Sequence, residues 1–240
     1  MSPPNRWRSL EKAVHAWQLC VDSSTSHVLR SRYLHWLSEE ERTRLGQLRT
    51  RASQAVFLGA HVLLRGALSY YVDVAPGAWT FSTGIHGKPR IARPTAFKAL
   101  HFNLSHTDRW AVVVVSRVGP VGVDVERTSR NVAIMRVARH FLSQEEQVRL
   151  GKLSQDERAQ RFFRQWVARE AYLKGTGKGL GIADERLTLR FDSLKRPTPI
   201  GAWRFFLHNP DQEHLAAAAV RHHERTPITM RWLEGHKLFR

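Results

Sequence analysis

Two carboxylates stand two residues apart in Val121-Gly-Val-Asp-Val-Glu126. Strand alternation puts the valines at 121, 123 and 125 on one face and leaves Asp124 and Glu126 on the other, about 6.6 Å apart along the chain. Neighbouring carboxylates repel unless a cation or proton lies between them, so the pair reads either as a solvated strand face or as a hard-cation site. In Trp166-Val-Ala-Arg-Glu-Ala-Tyr-Leu-Lys174, residues Trp166, Glu170 and Lys174 form one helical stripe. It is either an ordinary Glu to Lys surface pair, worth ~0.3 to 0.5 kcal/mol, or the polar end of an aromatic face turned toward protein. Gly175-Thr-Gly-Lys-Gly-Leu-Gly181 follows, a loop whose amides and Lys178 can approach phosphate, or simply an extended glycine C-cap. It lacks the spacing of a Walker loop and ends a helix rather than opening one. His101-Phe-Asn-Leu-Ser-His-Thr-Asp-Arg-Trp110 reads as a polar turn between two apolar strands, carrying Ser105 and His106. Adjacent in a turn and without a GxSxG elbow, these two do not make a hydrolase pair. Gly87-Lys-Pro89 reads as another turn.

The elements that must position these groups are legible locally. Ser38 with Glu41, Ser143 with Glu146 and Ser154 with Glu157 are capping boxes, so helices begin at all three. Longer helices are expected over about 51 to 72 and 155 to 174, from the spacing of Val56, Leu63, Leu64 and Leu68 in one and of Phe162, Phe163, Trp166, Val167 and Leu173 in the other. Strands are expected at 13 to 21, 78 to 82, 110 to 116, 120 to 126, 186 to 191, 201 to 207, 214 to 221 and 227 to 232.

These elements recur. Leu37-Ser-Glu-Glu-Glu-Arg-Thr-Arg-Leu45 is echoed 105 residues later by Leu142-Ser-Gln-Glu-Glu-Gln-Val-Arg-Leu150. Phe57, Val62 and Leu68 fall on Phe162, Val167 and Leu173 at the same offset, as does Trp110-AVVVV on Leu215-AAAAV. One such match is compatible with chance, whereas three in one register point to duplication. The expectation is an α+β chain of two similar halves, residues 1–117 and 118–240, the second carrying the acidic pair.

Composition narrows the function classes. The 240 residues include eight Trp and eleven Phe, which only a folded core accounts for. The single cysteine, Cys20, excludes an internal disulfide and any multi-cysteine metal site. The N-terminus lacks the apolar core of a secretory signal and no run approaches the ~18 apolar residues of a membrane span, so a cytoplasmic protein without membrane association is expected. A charge of +17 calls for a polyanionic partner, whether nucleic acid, acidic protein or phosphate-rich small molecule.

Taken in order, Gly87-Lys-Pro89, Phe102-Asn-Leu-Ser-His106, Gly122-Val-Asp-Val-Glu126, Trp166-Val-Ala-Arg-Glu-Ala-Tyr-Leu-Lys174 and Gly177-Lys-Gly-Leu180 resemble the surfactin-type (Sfp-type) 4′-phosphopantetheinyl transferases over residues 15 to 220. The resemblance implies a monomeric pseudo-dimer with coenzyme A in the seam. It implies transfer of phosphopantetheine from coenzyme A to a serine of an acyl or peptidyl carrier protein, with release of adenosine 3′,5′-bisphosphate. Asp124, Glu126 and Glu170 match the family's magnesium ligands, with Asp124 also beside the coenzyme. Glu170 matches the suggested general base and Lys174 the lysine on the pyrophosphate. Ser105 and His106 match the 3′-phosphate site, Lys88 and Pro89 the adenosine end, and Arg42 and Arg44 further phosphate contacts. Arg169 stands where the family usually has Lys, and Ala55 where an Arg is common, which leaves the first-half phosphate contacts open. The rival reading is a basic nucleic-acid-binding protein, motivated by the charge and by Arg161-Phe-Phe-Arg-Gln-Trp166; helical core spacing of those aromatics speaks against it.

Overall fold

A computed structural model describes residues 5–84, 87–129, 133–177, 189–192, 196–223 and 227–239. The first half runs through α1 (Asn5–Ser9), β1 (Ala13–Cys20), α2 (Ser23–Tyr33), α3 (Glu39–Gln47), α4 (Arg51–Tyr71), β2 (Thr80–Thr83), β3 (Pro89–Arg93), β4 (His101–Thr107) and β5 (Trp110–Ser116). Then come β6 (Val121–Arg127), α5 (Ile134–Ala138), α6 (Gln144–Gly151), α7 (Gln155–Thr176), β7 (Trp203–His208), β8 (His214–Arg221) and β9 (Thr229–Glu234).

The three expected capping boxes are formed at Ser38, Ser143 and Ser154, each with its glutamate reaching back to the cap amide. The repeat survives in the elements: α3 and α6 begin at 39 and 144, α4 and α7 end at 71 and 176, and β5 and β8 end at 116 and 221, each pair 105 apart. The sheets also share an order. One is β4-β5-β1-β9 and the other β6-β8-β7, so in each the first strand of the half pairs with the last strand of its hairpin. Strand β9, from the end of the chain, lies parallel to β1 and extends the first sheet.

Three clusters make the core. Helix α4 covers one face of the first sheet through Leu64, Leu68, Trp17 and Val113. Helix α7 covers the second through Phe163, Val167, Ala217 and Ala219. Between the sheets lies a third cluster, Val14, Ala16, Val112 and Val114 against Val121, Val123, Val125 and Val220. Both faces of β5 and β8 are therefore buried, which is why they read as continuous apolar runs rather than alternating ones.

Several expectations change. Residues 101–107 are a full strand paired with β5, not a turn; the reversal comes at Asp108 and Arg109, with Asp108 at φ 36°. Burial of Phe102, Asn103, Ser105 and Thr107 on the seam-facing and core-facing sides stabilises the extended form where local composition suggested a loop. Strand β3, which was not anticipated, closes a hairpin with β2 around Gly87, whose φ of 76° favours glycine. Of the strand expected at 186 to 191, residues 186–188 lie outside the described residues, and Phe191 makes only an isolated bridge to Pro197. Helix α7 continues to Thr176 and is capped by left-handed Gly177, whose amide donates to the Leu173 carbonyl. Lys178 and the rest of the glycine loop lie outside the described residues. Phe162 and Phe163 are 2% and 3% exposed and packed in the core, so they offer no stacking face to nucleic acid. No described helix is long and apolar enough to cross a membrane.

Candidate active site

The acidic strand and the second long helix meet because of a glycine. A β-carbon at Gly122 would run into the Ala171 carbonyl and the Gly175 amide, so only glycine lets the α7 backbone lie directly on β6. That approach carries Glu170 and Lys174 to Asp124. The Lys174 ammonium donates to Asp124 Oδ1 at 2.7 Å and to Ser105 Oγ at 2.9 Å, and the Ser105 hydroxyl donates to the same carboxylate oxygen at 3.0 Å. Asn103 steadies the strand from the seam side by accepting the Val123 amide at 2.9 Å.

Asp124 is 4% exposed, and its Oδ2 has no hydrogen-bond partner. Glu170 is 7% exposed. Burial, and then the negative charge of Asp124, push its carboxyl up to about 7, with Glu126 adding in the same direction and Lys174 and Arg169 opposing. Among the described residues no three His, Cys, Asp or Glu side chains are gathered closely enough to hold a metal ion. The donor chemistry nonetheless fits a hard cation. A buried carboxylate oxygen lacks a partner, and the charged form of Glu170 is disfavoured by Asp124 and Glu126 beside it, which a cation between them would relieve. Lys174 supplies the positive charge in the arrangement described.

His106 leads away from this acidic group to a cavity of about 1040 Å³ lined by Arg44, His61, Phe81, Pro89, Leu104 and His106. Burial lowers the pKa of His106, and the charges of His61, Lys174 and Arg44 lower it further, which marks a convergence of cations. The helical phase of α3 separates the two candidate arginines: Arg44 lines the cavity and Arg42, exposed to solvent, does not.

Lys88 is elsewhere. Its ammonium donates to the Val121 carbonyl at 2.9 Å and the Gly175 carbonyl at 2.8 Å, joining the β2–β3 hairpin to β6 and to the end of α7. Burial, with Arg90 close by, lowers its pKa to about 8. Pro89 next to it does line the cavity.

Sequence reasoning missed the Glu41 cluster. Glu41 closes the cap of α3 and also receives His61 Nδ1 at 2.9 Å and Arg65 Nη2 at 2.7 Å. Burial pushes the carboxyl up, but the His61 hydrogen bond and charge, with the Ser38 amide and the Arg65 charge, together outweigh it and hold Glu41 at about 2. Arg65, 1% exposed, spends its remaining donors on the Pro76 and Trp79 carbonyls. The available signal was His61 and Arg65, one turn apart on the otherwise apolar face of α4.

Comparison with known proteins converges on one family. Residues 120–231 match the model of the 4′-phosphopantetheinyl transferase superfamily. The chain is 29% identical over 219 residues to the 4′-phosphopantetheinyl transferase HetI of Nostoc sp., covering 91% of each chain. It is 29% identical to a phosphopantetheinyl transferase of Thraustochytrium sp., covering 88% of this chain and 80% of that one. To the 4′-phosphopantetheinyl transferase Sfp of Bacillus subtilis it is 28% identical, covering 71% of this chain and 73% of that one. The acidic strand, the α7 stripe and the similarity along most of the chain agree, and the chain is similar to the 4′-phosphopantetheinyl transferase superfamily.

Proposed function

We propose that the protein transfers 4′-phosphopantetheine from coenzyme A to a serine hydroxyl of an apo acyl or peptidyl carrier protein, in a magnesium-dependent reaction releasing adenosine 3′,5′-bisphosphate. The observation that carries this reading is the convergence of buried Asp124 and Glu170 with half-buried Lys174, near a cavity lined by Arg44, His61 and His106. A coenzyme with a pyrophosphate and a separate 3′-phosphate needs two such charged places.

In this reading the 3′-phosphate lies toward Arg44 and His106, with His61 beside them, and the adenosine packs near Pro89. Lys174, a compact cation with three donors, moves from Asp124 toward the pyrophosphate. Asp124, Glu126 and Glu170 would hold magnesium, which offsets the negative charge on the pyrophosphate oxygens during displacement at phosphorus. Glu170, in its carboxylate form, takes the proton from the serine hydroxyl. The serine oxygen forms the new bond to phosphorus, and the bond to adenosine bisphosphate breaks.

The same reading treats residues 1–117 and 118–240 as two halves of a cytoplasmic monomer, with coenzyme A in the seam and the chain-end strand β9 returning to the first sheet. The charge of +17 suits an acidic carrier, because long-range attraction raises the encounter rate. Incubation with coenzyme A, magnesium and apo carriers, followed by mass spectrometry, tests it: the carriers gain the mass of phosphopantetheine. Unmodified carriers throughout such a panel would overturn it.

A further inference from the structure

Away from that site, α6, the first half of α7 and residues 189–191 enclose a second cavity of about 550 Å³. At the 105-residue spacing, Glu41, Arg44, Leu48 and Val56 of the larger cavity correspond to Glu146, Arg149, Leu153 and Arg161 here. Both cavities are thus the same corner of the fold, where a short capped helix crosses the start of a long one. The repeat retains the corner and changes its wall: an apolar Val56 in one half is Arg161 in the other.

The charges of this second corner are unevenly used. Glu146 is committed to the Ser143 amide at 3.0 Å and to Gln165 at 3.3 Å, and Arg149 pairs with Glu145. Among the described residues, neither Arg161 nor Arg190 has a carboxylate within 4.0 Å. The Arg161 guanidinium lies 4.4 Å above the Phe191 ring, leaving its in-plane donors available, and burial lowers its pKa. Gln165, on the cavity wall and 3% exposed, has an Oε1 without a partner. Leu150, Leu153, Leu189 and Phe191 provide an apolar surface under these cations. At about half the volume of the larger cavity, this one is in the range of small-ligand pockets.

We infer that this cavity is a second binding site, for a compact organic anion with an apolar or aromatic body, its charge set against Arg161 and Arg190 and its body on Leu150, Leu153 and Phe191. The inference does not depend on the transfer reaction. The test uses 8-anilinonaphthalene-1-sulfonate as a fluorescent probe and decanoate and inorganic phosphate as competitors, on the full chain. Saturable binding of one probe per chain is expected, displaced by decanoate and not by phosphate. Arg161→Gln, on the wall, raises the probe Kd at least tenfold, and Leu153→Trp, which fills the cavity, abolishes binding, each variant keeping a cooperative thermal unfolding transition. An unchanged Kd in Arg161→Gln overturns the inference, even where Leu153→Trp fails to fold. So does complete displacement by coenzyme A with no effect of Arg161→Gln, since the probe then sits in the larger cavity. Equal displacement by phosphate and decanoate overturns the ligand class.

Discussion

The ammonium of Lys88 lies 2.8 Å from the carbonyl of Gly175, across 87 residues of chain, and the same ammonium holds the Val121 carbonyl. One first-half side chain therefore ties together the strand that carries Asp124 and the helix that carries Glu170 and Lys174. Lys88→Met leaves both carbonyls without this donor, and a loss of about 2 kcal/mol in unfolding stability is expected by urea denaturation. Because the acidic group is then held less firmly, kcat should fall by more than KM for coenzyme A rises. A rise in KM with kcat unchanged would return Lys88 to a purely adenosine-binding role.

Glu170 makes metal-free stability depend on pH. Its folded pKa of about 7 exceeds the ordinary 4.5, so the folded state holds a proton that the unfolded state has released between those values. The contribution is full below about 4.5 and is lost as pH rises through about 7, at most ~3 kcal/mol in total. Relative to Glu170→Gln, the wild-type protein in EDTA should lose stability across that window, and added magnesium should restore it at the upper end. Parallel melting-temperature profiles for the two proteins, with or without magnesium, would remove both the coupling and the cation site.

His61 and His106 face the same cavity as Arg44. His106→Ala and His61→Ala should each raise KM for coenzyme A about five- to tenfold with a smaller effect on kcat, since contacts remote from the reacting phosphorus act mainly on binding. With 3′-dephospho-coenzyme A the penalty should largely disappear. An equal penalty with that analogue would mean that neither imidazole reads the 3′-phosphate.

Gly122 is expected to be among the least replaceable positions. A methyl there meets α7 backbone, not a movable side chain, so Gly122→Ala should cost about 3 kcal/mol and separate Glu170 from Asp124. Gly151, where a β-carbon would meet only the far end of the Met135 side chain at 3.9 Å, is the control: Gly151→Ala should change stability by less than about 1 kcal/mol in either direction. Similar losses for both would show that the contact at Gly122 is not tight.

What the sequence alone determined here is what short-range rules govern. The three capping boxes act between residues three apart, so Ser38, Ser143 and Ser154 announce their helices without help from the rest of the chain. The two-residue period of 121 to 126 put Val121, Val123 and Val125 in the seam and Asp124 and Glu126 on the other face, and the stripe through Trp166, Glu170 and Lys174 held on α7. The repeat, too, was legible, since it needs only comparison of the chain with itself.

Tertiary structure decided the pairings. Ser105 and His106 sit on a strand because β5 lies beside them, an influence no local window contains. Arg44 rather than Arg42 reaches the cavity because of which face of α3 is turned toward it, and that is settled only when α3 packs in the fold. Glu41 meets His61 and Arg65, 20 and 24 residues away, only after that packing. Lys88 reaches α7 only because Gly122 lets helix and strand backbones touch. Each of these is a contact between distant segments, fixed by register and close packing after the local elements have formed, and composition and spacing do not encode such distances separately.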